Sequence, residues 1–116
     1  MAAGTYNLVI EQGATFTATV TWRDAANALV NVTGYTARMQ LRATVAAGTF
    51  ALELTNANGR IVLGGAAGTI DLTISATDAA TIGAGSYVYD LELVSGSGTV
   101  DRLIQGSATV VAEVTR

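Results

Sequence analysis

Apolar and polar residues alternate with a period of two along most of this chain, which is the signature of strands with one dry face and one wet face. From Thr15 to Trp22, the residues Phe16, Ala18, Val20 and Trp22 share one face, and Thr15, Thr17, Thr19 and Thr21 share the other. Threonine is β-branched and suits the wet side of such a strand. Arg23-Asp24-Ala25-Ala26-Asn27 breaks the pattern as a turn, Leu29 to Val32 is a short apolar piece, and Thr33-Gly34 punctuates it. A second strand is predicted from Tyr35 to Arg42, with Tyr35, Ala37, Met39 and Leu41 inward and Thr36, Arg38, Gln40 and Arg42 outward. After a loop at Ala46-Ala47-Gly48, a third strand runs from Phe50 through Leu52 and Leu54 to Thr55. Asn56-Ala57-Asn58-Gly59 is a turn, because Asn and Gly tolerate positive φ.

The second half continues the pattern. Arg60 to Leu63 is short and apolar, and Gly64 to Gly68 reads as a flexible link. Thr69 to Ser75 alternates again, with Ile70, Leu72 and Ile74 inward. Ser75 to Ile82 is the one helical stretch, with Thr77 as its expected cap, Asp78 favouring its N-terminal end, and Gly83 stopping it. Ser86 to Ser95 places Tyr87, Tyr89, Leu91 and Leu93 on one face, and Val88, Asp90, Glu92 and Val94 on the other. Gly96-Ser97-Gly98 makes a hairpin connection to Thr99–Gln105, and Ser107–Val114 reads as a separate final strand. The outcome is an all-β domain, an antiparallel immunoglobulin-like sandwich of about eight short strands with at most one helical turn. An up-and-down barrel of the same strands is the alternative.

At 116 residues the chain makes one domain, residues 1–116. Half of it is apolar and only 13% is charged, which argues against disorder. It has no His, Cys or Pro, and all six basic residues are Arg. That removes a disulfide framework, the usual zinc ligands and a Cys/His nucleophile pair. None of the five serines has a His or Lys to activate it. The net charge of −3 and the scatter of Arg23, Arg38, Arg42, Arg60, Arg102 and Arg116 leave no basic stripe for nucleic acid. The stretch Met1 to Tyr6 lacks the charged and apolar regions of a signal peptide, and no run of 18 apolar residues spans a membrane. Asn31-Val32-Thr33 matches a glycosylation sequon, without a secretion signal to make use of it.

The remaining candidate chemistry is sparse. Asp90 and Glu92 lie on one strand face, roughly 6.5–7 Å apart, a separation compatible with paired carboxylates in glycoside hydrolysis. Solvated strand charge is the simpler reading. Asp71, Asp90, Glu92 and Asp101 would bind Ca²⁺ if they converged, but the spacing of a calcium loop is absent. Gly83-Ala84-Gly85 and Gly96-Ser97-Gly98 lead into strands rather than helices, so they are turns and not phosphate cradles. Trp22, Tyr87 and Tyr89 would line a ligand groove in a carbohydrate-binding module, although their alternation makes them core.

Two features point to assembly. Leu103, Val110 and Val111 interrupt the polar side of the closing strands, which makes these strands either central under a loop or part of an interface, and the lack of Pro and Lys leaves strand edges poorly guarded against another chain. Arg38 and Arg42, on an exposed face, would meet an acidic partner or pair across strands with carboxylates such as Glu53. The candidate interface residues are therefore Arg38, Arg42, Leu103 and Val111; no catalytic, cofactor or metal residue is assigned.

The order of these signals resembles a known family. It runs Glu11-Gln12-Gly13-Ala14-Thr15-Phe16, Val20-Thr21-Trp22-Arg23-Asp24, then Val32-Thr33-Gly34-Tyr35 through Arg42. Gly85-Ser86-Tyr87-Val88-Tyr89-Asp90-Leu91 and Gly98-Thr99-Val100-Asp101-Arg102-Leu103-Ile104-Gln105-Gly106 follow. Over almost the whole chain this is similar to the N-terminal β-sandwich of bacteriophage upper baseplate proteins, and to small stand-alone phage structural proteins. The resemblance implies a non-enzymatic docking or adaptor module in the tail or baseplate region. It also implies multiple copies, other virion proteins as partners, no cofactor, and assembly into the virion in the host cytoplasm. It makes Gly13, Asp24, Gly34 and Gly98 turn positions. It makes Phe16, Trp22, Tyr35, Met39, Leu41, Tyr87, Tyr89 and Leu91 core. Baseplate proteins of this type continue into further domains, whereas this sequence stops at Arg116, so a capsid decoration protein is the alternative expectation.

Overall fold

The computed structural model describes residues 4–115; Met1 to Ala3 and Arg116, which entered the leader and charge readings, lie outside them. Among the described residues, nine strands form two sheets. The larger sheet contains β1 (Gly4–Thr5), β2 (Leu8–Glu11), β4 (Thr36–Arg42), β5 (Leu52–Thr55), β8 (Gly85–Val94) and β9 (Val100–Val111). Its order is β1-β9-β8-β4-β5, with β2 also paired to β9. The smaller sheet has the order β3 (Phe16–Thr21), β7 (Thr69–Ile74), β6 (Ile61–Leu63). A five-residue helix, α1 (Ala76–Ala80), links β7 to β8 across the two sheets. This is an immunoglobulin-like arrangement: β3, β7 and β6 take the places of strands B, E and D, and β4, β8 and β9 those of C, F and G.

The predicted faces of β3, β4, β5, β7 and β8 are the observed ones, whereas Leu103 and Val110 of β9, read as interrupting the polar side, are buried. Met39, Leu41, Leu54, Leu91 and Leu93 from the larger sheet are buried against Ile61, Ile70, Leu72 and Ile74 from the smaller. Each such aliphatic side chain contributes about 1.5–3 kcal/mol by leaving water. Trp22 caps one end of this core, its ring edge-on to Tyr35 with centroids 5.8 Å apart. The turn positions hold as well. Gly13, Gly34 and Gly98 adopt positive φ, and Asp24 Oδ1 accepts from the amides of Ala26 and Ala28. At the start of β8 the Tyr87 hydroxyl donates to the Gly83 carbonyl at 2.6 Å, closing the corner that α1 makes.

Several local expectations are corrected. The helix cap is Ser75, whose Oγ accepts from the Asp78 amide at 3.1 Å; Thr77 lies inside the helix. Gly64–Gly68 is not a loose link. Residues Gly65–Ala67 form a 3-10 turn, Gly65 O accepts from Val32 N, and Gly68 O accepts from Trp22 N. Phe50 lies outside β5 and is 46% exposed, with the Arg42 guanidinium 6.0 Å from its ring centre. Finally, Thr99–Gln105 and Ser107–Val114 are not two strands. Residues Val100–Val111 form a single twelve-residue strand along β8.

Two backbone devices within β9 explain that misreading. Leu91 pairs with Ile104 and Glu92 with Arg102, so Leu103 is the extra residue of a β-bulge. The bulge turns both Leu103 and Ile104 towards the core, which is why two consecutive apolar residues occur there. Three residues on, Gly106 lies beneath the N-terminal segment. β1 and β2 run parallel to β9, and Tyr6-Asn7 interrupts their ladder opposite Gly106. A Cβ on Gly106 would lie 2.3 Å from the Tyr6 carbonyl oxygen. Tyr89, directly across from Gly106, donates its hydroxyl to that same carbonyl. The glycine is a point of close backbone approach, not a turn.

Candidate functional site

The outer face of the larger sheet carries a cluster of charged and amide side chains. Arg38 Nε meets Glu92 Oε1 at 2.8 Å, and Arg102 Nε lies 3.4 Å from Asp90 Oδ2. Gln40 donates to Glu53 at 2.7 Å, while Arg42 donates to Gln40 Oε1 and to the Ala47 carbonyl. This is cross-strand charge pairing as expected, except that Arg38 pairs with Glu92 and Glu53 is bonded to Gln40. A shallow groove of about 550 Å³ runs over this face, lined by Thr5, Gln40, Arg42, Val45, Asp90 and Arg102, among others. Glu92 is paired with Arg38 and Asp90 with Arg102, and exposed pairs of this kind contribute little to stability.

The candidate chemistry does not assemble. Asp90 and Glu92 each face an arginine on an open surface. Asp71 belongs to β7 in the other sheet, where its Oδ1 accepts from Thr19 Oγ1 at 2.7 Å. Among the described residues no three carboxylates come close enough to hold a metal ion. No described helix is long and apolar enough to cross a membrane. Trp22 and Tyr89 are buried, 6% and 5% exposed, so both pack as core residues, with Tyr89 also bordering the groove. Burial pushes the Tyr89 phenol up to about 12, with nearby Tyr6 adding to the shift.

The four candidate interface residues are not brought together. Arg38 and Arg42 lie on β4, bonded as described. Val111, 46% exposed, ends β9 beside Glu11 of β2. Leu103 is corrected: at 8% exposure it is a core residue turned inward by the bulge and offers no outer surface. Sequence reasoning also missed two structural ties. Arg60 binds Asp78 of α1 at 2.9 Å and the Glu53 carbonyl of β5 at 2.9 Å, joining the two sheets. Gln12 donates to the Ile82 carbonyl and accepts from the Glu113 amide. Both are long polar side chains on turns, and nothing in their local pattern names a partner, whether 7 residues away as for Arg60 and Glu53 or 101 as for Gln12 and Glu113.

The least guarded surface is the edge formed by β3. Both N-terminal strands pair with β9, so no described strand pairs with β3 on the side away from β7. Its six residues, Phe16–Thr21, carry no charge and no bulge. Beside it, the side of the sandwich opens into an apolar crevice of about 140 Å³, lined by Tyr6, Leu8, Ala18, Val20, Leu72 and Ile104, with Thr19 at its rim. The other edges are shorter: β6 has three residues, β5 four, and β2 four. β5 and β2 also carry Glu53 and Glu11 respectively. No known protein-family model matches the chain, and a search of curated protein sequences finds no match either.

Proposed function

We propose that this protein is a non-enzymatic bacteriophage structural protein, a docking or adaptor subunit of the tail or baseplate region, present in several copies per virion. The observation that carries this reading is the unpaired, uncharged β3 edge, with an apolar crevice beside it. Monomeric β proteins blunt such edges with charge, Pro, bulges or a covering segment. Among the described residues none of these devices is used on β3, as suits a subunit whose neighbours cover it. The order of turn and core residues, similar to that of small phage β-sandwich modules, supplies the virion setting. The lack of His and Cys, and the pairing of Asp90 and Glu92 with arginines, support a role without catalysis.

The test is antibody labelling of phage particles from a lysate of the source, imaged by electron microscopy. Label at one end of the tail is the expected result. Label distributed over the head would replace this reading with capsid decoration. Unlabelled particles would remove the virion role altogether.

A further inference from the structure

We propose that β3 is a self-pairing edge: two copies of the chain join β3 to β3 antiparallel about a two-fold axis at Thr19, making one continuous six-stranded sheet. This deepens the proposed function, on which it rests for its setting, by naming both the surface and the partner of the multi-copy assembly.

Phase is the first argument. Trp22 N donates to Gly68 O, directly across from it at the start of β7. Backbone groups on a strand alternate in direction, so Phe16, Ala18, Val20 and Trp22 direct theirs towards β7. Thr17, Thr19 and Thr21 therefore direct their N–H and C=O outward, to the unpaired side. An antiparallel partner centred on Thr19 places Thr17 opposite the partner's Thr21 and Thr19 opposite its own copy. All three outward-facing residues then find outward-facing partners.

Side chains agree with that phase. Thr17, Thr19 and Thr21 are exposed, while Phe16, Ala18 and Val20 are half-buried on the core side. The same pairing sets Ala18 opposite the partner's Val20 and Phe16 opposite the partner's Trp22, so apolar meets apolar and threonine meets threonine. Ala18 is small and lies in the wall of the crevice. The partner's Val20 arrives beside it, at the mouth of that opening. No charge on β3 opposes the approach, and the only long-range cost is repulsion between two chains of net charge −3 each, which salt screens. One strand pair and two symmetry-related crevice mouths make a small interface, so the dimer is weak in isolation and gains strength where many copies are held together.

Sedimentation equilibrium of the full chain over a wide concentration range tests the proposal. The unaltered chain is expected to dimerise with concentration, and more readily as salt rises. Thr17→Lys combined with Thr21→Glu creates two opposite-charge pairs across the axis and lowers the dimer Kd about two- to thirtyfold. Thr17→Lys combined with Thr21→Lys sets like charges opposite each other and raises it similarly. Both positions are exposed, and circular dichroism checks that the variants fold. Amide exchange on the unaltered chain gives an independent reading, because protection at Thr17, Thr19 and Thr21 must rise with concentration. A chain that stays monomeric throughout, or an oligomer indifferent to both variants, overturns the proposal. Labelled tails with a monomeric purified chain would overturn the pairing and leave the proposed function standing. A β3-paired dimer with unlabelled particles would do the reverse.

Discussion

Two residues show how tightly the N-terminal segment is seated. At Gly106 any Cβ would collide with the Tyr6 carbonyl, a backbone atom that cannot move without displacing β1 or β2. Gly106→Ala is expected to destabilise the protein by about 2 kcal/mol or more. Gly48→Ala is the control: a Cβ there meets nothing within 4 Å, so the change is neutral or slightly stabilising. Urea unfolding midpoints separate the two. Opposite Gly106, the Tyr89 phenol holds its proton up to about 12 because it is buried, whereas an unfolded tyrosine ionises near pH 10. Between those values the folded state binds more protons than the unfolded state, so stability falls as pH rises through that window. Thermal melts from pH 9 to 12 should show the decline, and Tyr89→Phe should flatten it, at the cost of the hydrogen bond to Tyr6.

At the scale of elements, α1 is too short to hold itself together, since one turn cannot repay the nucleation cost. Its cap, the Arg60–Asp78 pair and the burial of Ala79 hold it in place. Ser75→Ala should cost about 1 kcal/mol, while Thr77→Ala should change the midpoint of denaturant unfolding little. The sequence signal misplaced this cap because Ser75 and Thr77 are both good caps and only the exit angle of β7 decides between them. The same division runs through the fold. β4, β7 and β8 were legible because one face of each packs on the opposing sheet, and period two records that directly. β9 was not: a glycine inside a strand and two adjacent apolar residues look like a break, and both are answers to distant partners, Tyr6 in one case and the Leu91–Glu92 step in the other. The parallel seating of β1 and β2 was equally invisible, since Leu8 pairs with Ala108 across nearly the whole chain. Of the candidate interface residues, Arg38 and Arg42 could be placed on the wet face by alternation, whereas the inward turn of Leu103 needs the bulge. The unpaired edge of β3 was foreseen only as a general want of Pro and Lys. Which strand would be left open depends on which sheet the N-terminus joins.

For the whole molecule, that topology sets the folding kinetics. The closing ladder joins residues 100 positions apart, and β3 must find β7 more than fifty residues downstream before the smaller sheet exists. Loop closure on that scale is paid before most of the core is buried, so folding belongs with slow all-β domains, in milliseconds to seconds. Yet the usual source of still slower phases in such proteins is missing. The chain contains no proline and no cysteine. There is then no prolyl isomerisation, on the scale of tens of seconds, to divide the unfolded chains into fast and slow populations. Stopped-flow refolding at low protein concentration should give one exponential carrying nearly all the amplitude. In a double-jump experiment that amplitude should not depend on how long the chain was held unfolded. Growth of a slow phase with the holding time would show heterogeneity in the unfolded state. A slow phase that instead scales with protein concentration would mark association, and the β3 edge is where the fold leaves the backbone open to it.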